Sequence, residues 1–200
     1  MKKIGIIILC FFLTGCSVVR IDTSNIDNII NVVLKKENNL YNRIGKGYKY
    51  YIPRGVSYMD TDELNDKLYS NGIYYYLYVD TISYFHKIEI DYKEDPSLYY
   101  SKKIEGKKQG YLAVKKENDL YHVIFNYHYG RIEALTEEDK LMEVILNSSY
   151  ILSTIQFNNN VIELSLNDEY FTTKQEQYTK FKVQKKEEYF LEYDNDETEK

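Results

Sequence analysis

Two stretches of the chain place apolar side chains three and four residues apart, the spacing that lines one face of an α-helix. The first follows Ser24, a residue type that favours the N-cap position. Its apolar positions are Ile26, Ile29, Ile30, Val33 and Leu34. The spacing predicts a short helix there, ended by Asn38, Asn39 and the glycines that follow.

The second stretch is longer and begins at Thr136-Glu137-Glu138-Asp139, a variant of the capping box whose acids suit the positive end of a helix dipole. Its face continues through Leu141, Val144, Ile145, Ser148, Leu152 and Ile155. We therefore predict a long amphipathic helix over about 137–154 that packs across a sheet.

Aromatic and β-branched runs predict the strands of that sheet. Ile73–Val79 (IYYYLYV) has little polarity on either face, so we expect it inside the sheet. Residues 110–116 and 120–129 flank Glu117-Asn118-Asp119 and predict an antiparallel hairpin. In its second strand one face carries Tyr121, Val123, Phe125 and Tyr127, and the other carries His122, Ile124, Asn126 and His128. The first of these faces is expected to lie in the core.

The remaining segments have less regular patterns. Further strands are predicted over 48–52, 56–59, 82–90 and 161–166, a short helix over 60–69, and a loop over 91–109 with one helical turn near Leu98. Ser70-Asn71-Gly72 and Gly55 are turn signals. Residues 187–193 are either a last strand or a loose edge, and we expect the acidic 194–200 to be disordered.

Strands around a hairpin, with one long and one short helix, are typical of the α+β class, in which helices pack on one face of an antiparallel sheet. The length predicts a single domain over 25–157. It would be followed by a C-terminal extension over 158–193 that contains strands.

The first residues have the features of a secretory signal. Lys2 and Lys3 precede an apolar stretch, Ile4–Leu13, and small residues lead up to Cys16. An apolar run must reach roughly 18 residues to cross a bilayer as a helix, and this one is shorter. A cleaved signal is therefore favoured over a permanent span or a buried N-terminal element.

Leu13-Thr14-Gly15-Cys16 resembles the lipobox of bacterial lipoproteins. The resemblance implies that the Cys16 thiol receives a diacylglyceryl group and that this residue becomes the new N-terminus after cleavage. Residues 1–15 would then be the signal peptide and residues 16–24 a tether. The domain would be held on the extracytoplasmic face of a bacterial membrane.

The charge and the cysteines narrow the possible functions. The net charge is −5, and removal of Lys2 and Lys3 with the signal takes it to −7, whereas nucleic-acid readers have a basic footprint. Nucleic acid is therefore not an expected partner. The cysteines are Cys10, which would leave with the signal, and Cys16, which would carry lipid. No thiol would remain for a nucleophile or a metal cluster.

Tyr48-Lys49-Tyr50-Tyr51-Ile52-Pro53 is similar to the first strand and turn of PsbP-like domains. The helix end at Ser153-Thr154-Ile155 is similar to the end of their last helix. The resemblance covers residues 40–157. It implies a non-catalytic accessory or binding protein.

Candidate catalytic and metal sites are few. His122 and His128 are six apart in one predicted strand, about 20 Å, so they cannot share one metal. His86 could approach either of them, which leaves a membrane-tethered enzyme built around His86 and His122 as an alternative. Ser148, Ser149 and Ser153 lack a nucleophile elbow, Gly45-Lys46-Gly47 lacks P-loop spacing, and Asp60, Asp62 and Glu63 depart from the EF-hand pattern. We expect no cofactor and no metal.

The chain has 23 tyrosines and no tryptophan. A strand with tyrosines at successive positions cannot place all of their rings in the core, so some rings must reach the surface. Exposed tyrosine binds sugars and proteins well. Aromatic strand propensity and AT-rich codon usage offer another explanation of the tyrosines. The preferred hypothesis is a non-enzymatic envelope lipoprotein that binds an envelope protein or polysaccharide. The enzyme and a small solute-binding lipoprotein are the alternatives.

Overall fold

The computed structural model describes residues 22–62 and 65–167. Its strands, in chain order, are β1 (Arg43–Ile44), β2 (Tyr48–Tyr50), β3 (Ser57–Asp62), β4 (Asn65–Ser70), β5 (Ile73–Val79), β6 (Tyr100–Ile104), β7 (Gly110–Glu117), β8 (Leu120–Tyr127), β9 (Gly130–Thr136) and β10 (Gln156–Phe157). Its helices are α1 (Ile26–Leu34), α2 (Thr81–Phe85), α3 (Leu141–Ser153) and α4 (Asn159–Asn167). A 3₁₀ turn, Glu138–Lys140, leads into α3.

The main sheet has seven strands in the order β3-β4-β5-β9-β8-β7-β6, and each neighbouring pair is antiparallel. A second, small sheet has the order β1-β2-β10. Helices α1 and α3 contact each other, and α3 lies on β8 and β9. The predicted α+β class, with a long and a short helix packed on an antiparallel sheet, is confirmed.

The core lies between the inner face of the main sheet and the α1–α3 pair. Tyr121, Val123, Phe125 and Tyr127 are all buried there, as the alternation predicts. The helical positions predicted to face the sheet are also buried, except Leu34, which is partly buried. Helix and sheet approach closely at Gly130, because a Cβ added there would come within 2.3 Å of the Ile155 Cδ1 atom.

Several local predictions are also confirmed. Strand β5 lies inside the sheet, between β4 and β9. Strands β7 and β8 form the predicted hairpin, in which Glu117 pairs with Leu120. Asn71 and Gly72 form a turn with positive φ angles of 49° and 84°, as a tight β-hairpin requires.

Four secondary-structure predictions are wrong. Residues 60–69 contribute to β3 and β4 rather than a helix. Residues 82–90 do not form a strand, because Asp80 caps α2 by accepting the Ser83 N–H at 2.8 Å. Residues 161–166 belong to α4. The predicted loop over 91–109 contains β6, since this segment pairs with β7 at the sheet edge.

The predicted helix starts are also wrong in detail. Asn25, not Ser24, caps α1, because its side chain accepts the Asn28 N–H. Thr136 is the last residue of β9, a strand that the sequence pattern did not reveal, and its hydroxyl donates to the Glu137 carbonyl. No capping box forms, and α3 begins at Leu141. The segments over 1–21 and 168–200, with the predicted tail and last strand, lie outside the described residues.

Neighbouring tyrosines of β5 should differ in their contribution to stability. Tyr75 is fully buried and its hydroxyl accepts from the Asn147 amide at 3.2 Å, whereas Tyr74 is 42% exposed. Tyr75→Ala should lower the free energy of unfolding by about 3–5 kcal/mol, the usual cost of removing a buried aromatic side chain. The matched control, Tyr74→Ala, should cost less than about 1 kcal/mol. Urea unfolding measures both, and equal losses would contradict the assigned faces.

Candidate functional site

A cleft of about 370 Å³ opens between the small sheet, the junction of β5 with α2, and α4. Its polar lining includes Arg43, Lys46, Tyr48, Thr61 and Asp66. Its apolar lining includes Ile44, Val79, Ile82, Ile162 and Leu166. A concave site of mixed polarity and this size is typical of pockets for small molecules.

Asp66 is the buried charge of the cleft, with only 8% of its surface exposed. The alternation along β4 places it on the inner side together with Leu68 and Ser70. Its Oδ2 accepts from the Tyr50 hydroxyl at 2.6 Å, and its Oδ1 accepts from the Thr61 hydroxyl at 2.8 Å. These bonds offset part of the cost of burying a carboxylate.

The tyrosines beside Asp66 remain protonated donors. Burial, and then the hydrogen bond to Asp66, raise the pKa of Tyr50 far above its usual value. Burial and the charge of Asp66 raise the pKa of Tyr48 in the same way. The Tyr50 hydroxyl therefore stays protonated and donates its proton to the hydrogen bond with the carboxylate.

Arg43 supplies a positive charge on the other side of the same network. Its guanidinium carbon lies 3.5 Å from the centre of the Tyr58 ring, a cation–π contact. The Tyr58 hydroxyl lies 2.6 Å from the Thr61 hydroxyl, which in turn donates to Asp66. Within the described residues neither Arg43 nor Asp66 takes part in a salt bridge. Among the described residues, the two opposite charges of the cleft therefore form no ion pair.

A second candidate surface lies on the sheet face opposite the helices, and we call it the tyrosine face: Lys67, Tyr69, Tyr74 and Tyr76. Tyr69 pairs with Tyr74 across β4 and β5, and Lys67 pairs with Tyr76. The Tyr69 and Tyr74 ring centres lie 5.2 Å apart, and those of Tyr74 and Tyr76 lie 6.5 Å apart. The Lys67 ammonium lies 4.5 Å from the Tyr74 ring centre. The three rings therefore form a continuous row beside a cation, and those of Tyr69 and Tyr74 are exposed.

Another part of the same sheet face carries a buried acid. Glu133 is 3% exposed and forms an ion pair with Arg131, and the Nε2 atom of His122 lies within hydrogen-bond distance of its Oε2 atom, at 3.3 Å. Burial lowers the pKa of His122. Tyr92, from the segment between α2 and β6, stacks on Tyr111 with ring centres 3.9 Å apart. The segment that carries Tyr92 therefore covers one part of this sheet face. The tyrosine face is the part that stays exposed.

The structure separates the histidines that were considered for catalysis. His122 pairs with Leu135 toward one end of β8, whereas His128 lies in the turn at the other end, with a φ of 50°. His86 caps α2, beside that same turn, because the Asp80 N–H donates to the Tyr129 carbonyl. His86 and His122 therefore lie at opposite ends of the sheet. Among residues 22–62 and 65–167, no three His, Cys, Asp or Glu side chains could hold a metal ion.

The other candidate residues named from the sequence lie in α3, in the turn between β1 and β2, and in β3. Ser149 and Ser153 donate to the carbonyls of Ile145 and Tyr150 within α3. Gly45-Lys46-Gly47 forms the turn between β1 and β2 and borders the cleft. Asp60 and Asp62 belong to β3.

Sequence reasoning missed the cleft itself. The signal that could have revealed the cleft is the position of Asp66 two residues before Leu68, which places both side chains on the same face of a strand. The predicted helix over 60–69 hid that alternation.

Comparisons of the chain with protein-family models, curated proteins and solved structures give no match. Cys16 and the signal region lie outside the described residues. In the described part of the chain no helix is long and apolar enough to cross a membrane.

The ring of His128 should make stability depend on pH. Burial, together with the charge of Lys108, lowers the pKa of His128 from 6.5 to about 4. The unfolded chain therefore binds the proton first, so this contribution to stability is full above pH 6.5 and is lost as the pH falls toward 4. His128→Asn tolerates the positive φ and should weaken the pH dependence of unfolding by urea between these values.

The matched control is His86→Asn, because the His86 ring is exposed. The free energy of unfolding of this variant should change with pH as steeply as that of the wild-type protein. Part of the slope should also remain in His128→Asn, since the pKa of His122 is lowered too. An identical slope in His128→Asn and the wild-type protein would contradict the assignment.

Proposed function

We propose that this protein is a membrane-anchored bacterial envelope lipoprotein whose domain is a non-catalytic binding or accessory module for another envelope component. The lipobox-like Leu13-Thr14-Gly15-Cys16 supports the anchor. Two acyl chains hold a protein firmly at a bilayer, since each buried CH₂ contributes about 0.8 kcal/mol. The resemblance of residues 40–157 to PsbP-like domains favours the same class of accessory protein.

The anchor would keep the domain close to the bilayer. Five residues separate Cys16 from Asp22, the first described residue, and the chain from one to the other spans at most about 20 Å. Partners within reach are therefore components at or near the outer surface of the membrane. An envelope protein or polysaccharide lies within this distance of the membrane, whereas a distant ligand does not.

The tyrosine face is the observation that carries the binding proposal. Tyr69 is 36% exposed and Tyr74 is 42% exposed, although both sit on strands inside an ordered sheet. Tyrosine offers flat contact area and one hydroxyl group at low entropic cost. Lys67 adds a cation beside the rings. Such a surface fits a sugar ring or the polar rim of a protein partner.

The anchor is tested by replacement of its cysteine. Cys16→Ser removes the thiol that would form the thioether, so it should release the protein from the membrane fraction or block processing of the precursor. Fractionation and the mass of the mature N-terminus measure both effects. Ser17→Ala is the matched control and should leave both unchanged. An unaltered membrane fraction and N-terminal mass in Cys16→Ser would contradict the anchor.

The binding surface is tested with the lipidated protein and two defined samples: purified peptidoglycan sacculi, and native membranes solubilised in detergent. The double variant Tyr74→Ser, Tyr76→Ser should reduce capture from one of them by about tenfold or more, because aromatic anchors dominate most interfaces. Tyr41→Ser is the matched control. Tyr41 is 50% exposed and has Lys49 3.9 Å from its ring centre, but it lies before β1 and outside the tyrosine face.

The sample that responds identifies the partner class. Loss with sacculi favours a polysaccharide, and loss with solubilised membranes favours a protein. Equal capture by the wild-type protein, the double variant and Tyr41→Ser would contradict a role of the tyrosine face.

A further inference from the structure

We infer that the cleft beside Asp66 binds a small zwitterion of the amino-acid class, with the ligand ammonium on the Asp66 carboxylate and the ligand carboxylate on the Arg43 guanidinium. This site is separate from the tyrosine face. The inference therefore does not depend on the proposed envelope partner.

The unpaired charges are the first argument. A buried carboxylate is usually paired with a cation, because hydrogen bonds alone offset only part of its desolvation. Asp66 accepts from Tyr50 and Thr61, yet within the described residues it has no ion pair. Hydroxyl donors leave acceptor capacity on a carboxylate, which has about four lone-pair sites. A ligand ammonium supplies the missing charge.

The position of Arg43 is the second argument. Its guanidinium stacks on Tyr58, and that ring is linked to Asp66 through the Thr61 hydroxyl. The network therefore links the two charged residues, and within the described residues they form no ion pair with each other. A ligand with both charges can satisfy both groups, whereas a simple cation or a simple anion can satisfy only one.

The remaining lining is the third argument. Val79 and Ile162 are buried side chains at the cleft wall, and Ile82 and Leu166 extend the apolar surface. They offer a place for an aliphatic side chain. Lys46 also borders the cleft. The volume of about 370 Å³ suits one small molecule rather than a polymer.

The test is calorimetric titration of the full-length lipidated protein in detergent with each of the common L-amino acids. Titration of the N-acetyl and amide derivatives of the tightest binder follows. At least one free amino acid should bind, with apolar side chains preferred. Removal of either ligand charge should weaken binding by about tenfold or more, because each charge meets a fixed opposite charge in a partly buried site.

Variants assign each charge to its residue. Arg43→Gln should weaken binding of the free amino acid, which should then bind no more tightly than its amide. In Asp66→Asn the free amino acid should bind no more tightly than its N-acetyl derivative. The matched control is Arg54→Gln, since Arg54 is exposed and lies outside the cleft, and it should bind as the wild-type protein does.

The outcomes are decisive even if Asp66→Asn fails to fold, because the derivatives are compared on the wild-type protein. Binding that needs both ligand charges and Arg43 supports the inference. Absence of binding by every amino acid overturns it, and so does equal binding of the free amino acid and its two derivatives. Tyr74→Ser should leave amino-acid binding unchanged, which separates this site from the tyrosine face.

Discussion

The packing of α3 on β8 and β9 is the contact on which the other features of this protein depend. Val144, Ile145, Ile151 and Leu152 are fully buried at this interface. Gly130 lets the end of the helix approach the sheet, since any side chain there would overlap Ile155 and Leu152. Burial of apolar surface is the dominant favourable term in folding, and this interface contributes to it.

The end of α3 then positions the small sheet. The Thr154 hydroxyl accepts the N–H of Tyr51 at 3.0 Å, and β10 follows at once and pairs with β2. That pairing holds Tyr50 where its hydroxyl reaches Asp66 of the main sheet. The cleft is therefore a consequence of how the helix ends. Displacement of α3 would separate the cleft from its buried carboxylate.

The tyrosines divide into two groups with different physical roles. Tyr50, Tyr75 and Tyr121 are buried, and their rings fill part of the core. Tyr69 and Tyr74 lie on the opposite side of the sheet and leave much of their surface exposed. Strand alternation alone produces this division, because successive side chains point to opposite faces. The helices cover one face, and partner binding is proposed for the other.

The sequence by itself determined the elements whose pattern is strong and local. The apolar face of α3 and the alternation of β8 each bury the residues that their periodicity predicts, and the aromatic run of β5 lies inside the sheet as expected. The lipobox-like motif is equally local. A pattern of this kind depends on neighbours in the chain, so it can be found without knowledge of the fold.

Tertiary structure decided the rest. Residues 161–166 alternate well enough for a strand, yet they form α4, whose Ile162 is buried beside the turn at Gly47. Strand β9 has a buried Glu133 that its sequence alone does not explain, because one of its partners, His122, lies on the neighbouring strand β8. The cleft joins β1, β4 and α4. Long-range packing brings these segments together, and no local pattern encodes their proximity.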